Sequence, residues 1–230
     1  MDRNELFLVN VPEATVSYAP VAHRHLVETI DEELYRRNIR IAQERFSTAR
    51  EGKQLIGYMD IKYQENEDLG MRIAFRNSYD KSMSAALVAG SVVWICSNGM
   101  VSGEMQFLRK HTGTVAQELK ENTIITIEEL ENHFKRMQEH SAKMKEIQIE
   151  KQLAAELCGR MFIEEDVITS TQLNIIKREL ENPTYPVFEE PSLWSFYNHV
   201  THSLKEAHPT RYIKDHVALH DFVEQEFELV

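Results

Sequence analysis

The chain has 230 residues, enough for one large domain or a domain with a helical appendage, and its 42% apolar and 27% charged content is globular rather than disordered. A formal net charge of −11, from 37 acids against 26 Lys and Arg, argues against a surface that binds DNA indiscriminately. No uncharged apolar run approaches a membrane span, the start MDRNELFLVNVPE lacks a signal peptide's basic-then-apolar layout, and Cys96 and Cys158 alone cannot build a disulfide framework or a four-thiolate zinc site. A cytoplasmic location is the expectation.

Residues 1–20 read as extended up to Pro20. Leu26, Ile30 and Leu34 recur at helical spacing through HRHLVETIDEELYRR, which predicts a helix. Two strand-like runs follow, IRIAQERFSTA and QLIGYMDIKYQ, and AREGKQ between them carries the Gly52 that a tight turn requires. After the polar loop ENEDLG, MRIAFRN reads as a third strand and SVVWICS as a buried strand stopped by Asn98-Gly99. MQFLRKH is too short for periodicity to separate strand from helix.

The texture changes near Thr126, where Thr126 and Glu129 form a capping-box pattern and predict a helix running to about Gln152 and breaking near Gly159. Leu130, Phe134, Met137, Ser141 and Met144 make a seam that either packs internally or joins copies of the chain. TSTQLNIIKREL predicts another helix, Pro183, Pro186 and Pro191 a stiff connector, Ser192 a cap on SLWSFYNHVTHSLKEA, and His216–Phe227 a final helix. The fold class is therefore α+β: an antiparallel β-rich part over 1–125, then a helical part over 126–230 packed on it as one continuous domain.

Four stretches carry residue types that scaffolding does not require. RNSYDKS places Arg76, Asn77, Ser78, Tyr79, Asp80, Lys81 and Ser82 together, a set able to cradle a phosphate or, equally, to close a polar hairpin loop. CSNGM holds Asn98 in a turn and Cys96 at the end of an apolar run, where an inert buried thiol is the simple reading. RKHTG supplies Arg109, Lys110, His111 and Thr112 for an anion contact or an exposed basic loop. His199 with His202, and His216 with His220, have one-face helical spacing, but no Cys-x-x-Cys or HExxH pattern accompanies them, and neither a metal nor a cofactor is expected. Met71–Gly113 carries five Lys and Arg against Asp80 and Glu104, a local +3 that leaves −14 for the rest. No Walker loop, dinucleotide turn or nucleophile elbow is present.

The order RNSYDKS, CSNGM, RKHTG and LWSFYNHVTHSLK is similar to a bacteriophage and plasmid family known as domain of unknown function 932. The matching positions are Ser78, Asp80 and Ser82; Cys96, Ser97 and Asn98; Lys110, His111 and Thr112; and Asn198, Val200 and Thr201, within a span of roughly 15–222. The resemblance implies an accessory protein of a mobile genome and assigns no reaction or catalytic residue. Three functions are then expected to compete. One is binding of single-stranded nucleic acid in replication or recombination, with Tyr79 and Trp94 available for base stacking. A second is a nucleotide or small phospho-ligand protein, catalytic or sequestering, with His111 or Asp80 as acid–base group. The third is an interaction or host-defence-antagonist module, homo-oligomeric through residues 127–150.

Overall fold

β-branched and aromatic residues build five strands in this computed structural model, which describes residues 1–61, 69–96, 98–207 and 211–229, and no side chain within 99–106. They are β1 (Ile41–Ala49), β2 (Gln54–Ile61), β3 (Leu69–Ser78), β4 (Ala85–Val93) and β5 (Asn98–Arg109), in an antiparallel sheet of order β1-β2-β3-β4-β5. The edge strand β1 is largely exposed, whereas every residue of β4 and all but Arg76 of β3 are buried. Strands covered on both faces read as continuous apolar runs, which is why AALVAGSVV lacks alternation.

The β1–β2 turn uses three consecutive positive φ angles, at Arg50, Glu51 and Gly52 (51°, 60° and 84°), and so confirms the tight hairpin. Gly57 faces Phe75 across the β2–β3 ladder, where an added Cβ would lie 2.4 Å from the ring, so only glycine allows this close pairing.

Helices α1 (Arg3–Phe7), α2 (His23–Arg36), α3 (Val115–Glu128), α4 (Leu130–Glu146), α5 (Lys151–Ile163), α6 (Ser170–Glu181), α7 (Leu193–Leu204) and α8 (Tyr212–Glu226) complete the described elements, with a 3₁₀ turn at Pro186–Phe188. The chain is α+β, a sheet followed by helices, as expected.

Several local readings are corrected. The first twenty residues are not all extended: Asp2 accepts from the Glu5 N–H at 2.8 Å while Glu5 accepts from the Asp2 N–H at 3.0 Å, and this capping box holds α1. The apolar run SVVWICS is not one strand, because β4 begins earlier at Ala85 and ends at Val93, leaving Trp94 and Cys96 in a turn. Thr126 caps nothing; it lies buried inside α3, and the helix breaks instead at Glu129. Gly159 sits inside α5, and the break falls near residues 147–150, where Ile149 N–H and Leu193 N–H bond to the carbonyls of Pro191 and Ile147. The capping residues Thr169 and Ser192 do open α6 and α7. Most of ENEDLG, and Ser97, lie outside the described residues.

The chain divides into two compact units that interleave along the sequence. The first comprises 1–66, 70–90 and 104–133; the second 67–69, 91–103 and 134–230. In the first, a buried ion pair joins adjacent strands: Asp60 on β2 receives Arg72 of β3 through Nε and Nη2 at 2.6 and 2.8 Å, and the guanidinium lies 4.0 Å from the Tyr58 ring centre. In the second, α7 is buried at all but one residue. The seam residues Phe134, Met137 and Met144 are fully buried within the chain, and Leu130 and Ser141 nearly so.

Candidate functional site

The motif RNSYDKS straddles a strand end, and its first residues turn inward. Asn77, fully buried near the end of β3, is the centre of a hydrogen-bond chain within the first unit. Its amide Nδ2 donates to the Val21 carbonyl at 2.6 Å and meets His23 Nδ1 at 2.9 Å, while its Oδ1 lies 2.6 Å from His111 Nε2. His23 Nε2 in turn lies 2.9 Å from the Gly52 carbonyl of the β1–β2 turn. Carbonyl oxygens only accept, so one proton arrangement satisfies every group: His111 Nε2–H to Asn77, Asn77 to the bare Nδ1 of His23, and His23 Nε2–H to Gly52. His23, with its Nδ1 bare, is then neutral.

Tyr79 locks the same corner. Its ring stacks on His23 at 3.9 Å, and its hydroxyl accepts the His23 N–H at 2.7 Å, supplying the cap that Ala22 cannot give α2. Its carbonyl accepts from the Tyr18 hydroxyl at 3.1 Å. Burial raises the Tyr79 pKa, and the Tyr18 pKa moves the same way, first through burial and then through the Asp80 charge. Tyr79 is thus a structural aromatic with no free face for a base.

Burial pushes the His23 pKa down to about 4, partly offset by its bond to Gly52 and reinforced by His111. His111 is also lowered by burial. A histidine that resists protonation when folded binds fewer protons than its unfolded form, so its stabilisation is complete above the unfolded value near 6.5 and is lost as pH falls towards 4. The shift corresponds to ~3 kcal/mol. Urea midpoints measured from pH 7 to 4 should fall across this window, and His23→Gln should flatten the profile; an unchanged slope in that variant would assign the acid lability elsewhere.

Beyond Asn77 the motif closes a loop on itself. Ser78 Oγ donates to the Met83 carbonyl at 2.9 Å and accepts its N–H at 3.1 Å. Asp80 accepts from Ser82 N–H, Gln54 Nε2 and Arg50 Nη1, each at 3.0 Å. Burial alone would raise the Asp80 pKa, but the Ser82 and Gln54 hydrogen bonds and the Arg50 charge outweigh it and lower the value. Asp80 is therefore a loop anchor carrying its charge, not an acid–base group poised near neutrality. These contacts hold Lys81 at φ 62°, a left-handed conformation that lysine seldom adopts.

What the loop leaves outside is a cleft of ≈ 250 Å³ whose rim carries Lys81, Ser82, Lys110 and Thr112, with Tyr18 and His111 beneath. Lys81 Nζ lies 4.6 Å from the Tyr18 ring centre. Both lysines are exposed, and among the described residues neither has a carboxylate within ion-pair distance. Thr112 precedes α3 by three residues, so the positive end of that helix adds to the field. RNSYDKS and RKHTG thus converge.

The other cations of the locally basic segment do not join them. Arg72 is spent on Asp60, Arg109 is paired with Glu118 through Nη2 at 3.0 Å, and Arg76 is half-buried with its pKa lowered by desolvation. The +3 of the sequence reduces to two available ammonium groups at the cleft.

The remaining two motifs meet in the second unit. Asn98 Nδ2 donates to the Asn198 carbonyl at 3.0 Å and to its Oδ1 at 3.2 Å, Cys96 Sγ sits 3.7 Å from the same Oδ1, and Lys205 Nζ donates to the Cys96 carbonyl at 2.6 Å. Asn98 is 2% exposed, so it is a fastener between a turn and α7 rather than a ligand contact. Val200 and Thr201 are buried beside it on α7.

The histidine pairs are also occupied. His199 Nδ1 and His202 Nε2 both face Glu179 at 3.7 Å, and His220 lies between His140 Nδ1 at 3.2 Å and the Tyr197 hydroxyl at 3.3 Å. Among the described residues no cluster of three or more His, Cys, Asp or Glu is placed to hold a metal ion. Burial pushes the Cys158 thiol up to about 11, so it stays protonated. No helix of the described residues is long and apolar enough to cross a membrane.

Tyr18, His23 and Gly52 are site residues that no sequence motif announced; each reaches the motif from far along the chain. A family model described as a domain of unknown function (DUF932) matches residues 15–222. No curated protein and no solved structure matches the chain.

Proposed function

The chain belongs to the family named domain of unknown function 932, and from that premise we propose that it holds the phosphate backbone of single-stranded nucleic acid in the Lys81–Lys110 cleft. The observation that carries this reading is two ammonium groups without carboxylate partners at the rim of an open concavity, interleaved with the Ser82 and Thr112 hydroxyls. A flexible backbone can lay one phosphate against each lysine, and the Thr112 hydroxyl can donate to one of them, whereas the Ser82 hydroxyl already donates to Asp80. Tyr79 is committed to His23 and Tyr18 has Lys81 over its ring, so the cleft offers charge without a stacking platform. Binding is then indifferent to sequence, and the −11 chain confines the strand to one place. An accessory role in replication or recombination of a phage or other mobile genome, inside its host's cytoplasm, goes with this reading.

Neutralising about two phosphates should give single-strand affinity a log–log salt slope of roughly −1.4. Anisotropy of a labelled homopyrimidine oligonucleotide should show that slope, and joint Lys81→Ala and Lys110→Ala substitution should weaken binding on the order of tenfold at low salt and bring the slope towards zero. Arg109→Ala should change little, because Glu118 already holds that guanidinium. Absence of binding by the wild-type chain at low salt removes the proposal.

The size of the cleft favours one alternative, a small phospho-ligand held by the same residues, for which ≈ 250 Å³ suffices for a phosphate and part of a sugar. A rise in melting temperature with a mononucleotide but none with an oligonucleotide would select it. His111 would then position Asn77 and the loop, since its Nε2 is engaged and burial keeps it neutral.

A further inference from the structure

In the second unit, α5 and α6 enclose a groove of ≈ 920 Å³ that takes no part in the phosphate cleft. Its lining is chiefly apolar and includes Ala155, Cys158, Gly159, Phe162 and Leu173, with Lys151 and Lys177 at its margins. Three large hydrophobic side chains stand in solvent around it: Phe162 (40% exposed), Ile163 (78%) and Leu180 (40%). Apolar groups gathered in this way mark an interaction surface.

We infer that this groove is a self-association site, in which α5 of one copy of the chain crosses α5 of a second copy antiparallel about a two-fold axis near Gly159. The face is complementary to itself under that operation, as an isologous contact demands. Lys151, Ala155, Gly159 and Phe162 recur at helical spacing on one side of α5, so its small residues occupy the middle and its aromatic ring one end. Reversing the helix brings the Phe162 ring of each copy over the Ala155 notch of the other. A Cβ built on Gly159 meets nothing within 4 Å, so the crossing point is open and lets two backbones approach.

Charge completes the match. Lys151 opens α5, and the exposed acids Glu165 and Asp166 follow its last residue, Ile163. Antiparallel pairing sets the cation of each copy against the acids of the other at both ends, whereas parallel pairing would set like against like. The Asp166 side chain is 80% exposed, and its contact to Arg211 is long, at 3.9 Å. The sequence pointed to Leu130–Met144 for such a role, but those side chains are buried within the chain, while α5, besides its buried face, leaves Ala155, Phe162 and Ile163 exposed.

Sedimentation equilibrium of the full chain should give twice the 26.8 kDa monomer mass in a concentration-dependent manner. Gly159→Leu is the steric probe: the site is open in one copy, so circular dichroism stays as in wild type, while dimer affinity falls by about tenfold or more. Lys151→Glu should weaken the dimer, and adding Glu165→Lys should restore it. A monomer up to about millimolar concentration, where even weak interfaces associate, would give the groove to another occupant and overturn the inference. Undiminished dimerisation of Gly159→Leu, or no recovery in the charge-swapped pair, would overturn it equally.

Discussion

Asn77→Leu should lower unfolding stability by roughly 3–5 kcal/mol, since three buried groups lose their partners and each such loss costs about 1–3 kcal/mol. Leucine keeps asparagine's branching and number of heavy atoms but is larger, so some overpacking adds to the loss of hydrogen bonds. The Val21 carbonyl, His23 Nδ1 and His111 Nε2–H would all be left in a region where His23 and Asn77 are 0% and His111 6% exposed. Equilibrium urea unfolding at pH 7 measures the loss. A companion variant separates electrostatics from connectivity. Asn77→Asp would set a carboxylate against the His23 lone pair and the Val21 carbonyl, a repulsion that protonation of His23 relieves. Its stability should therefore fall less steeply than that of wild type as pH drops from 7 to 5. Parallel pH profiles for the two proteins would contradict the proton arrangement deduced for the chain of imidazoles and amide.

Asp60→Asn should cost a similar amount, roughly 3–5 kcal/mol, because the Arg72 guanidinium would remain in the sheet without its carboxylate. Both side chains are 3% exposed, and their fork of two hydrogen bonds bridges residues paired in register on β2 and β3. Replacing both, as Asp60→Leu with Arg72→Met, should recover most of that loss, since two charges are no longer taken from water. A double variant no more stable than Asp60→Asn would show that Arg72 acts through the Tyr58 ring rather than through its ion pair. This arginine also tempers the basic-segment argument: a cation counted in sequence contributes nothing to a ligand when a neighbouring strand has neutralised it.

Much of the architecture was readable from local chemistry. The α2 periodicity, the Gly52 hairpin, the Ser192 cap and the Thr169 start of α6 depend on residues within a few positions of one another, and all stand where the pattern put them. Readings failed where the deciding partner is distant. Thr126 carries a capping pattern, but α3 passes through it because the fold buries that position inside a helix. Trp94 lies inside the strand-like run SVVWICS, yet β4 stops at Val93.

The four motifs divide along the same line. Sequence by itself determined the fold class, the family and which residue types matter: a loop rich in hydroxyls and charges, a turn at Asn98, and two lysines near a histidine. Only the tertiary structure decided their roles. It turned Asn77 and His111 inward, tied Asn98 to Asn198, used up Arg72 and Arg109, and left Lys81 and Lys110 facing solvent. The physical reason is that a charge or amide is available to a ligand only if no closer partner satisfies it. Those partners, Asp60, Glu118 and Asn198 among them, are brought into range by strand register and helix packing, which composition and spacing do not encode.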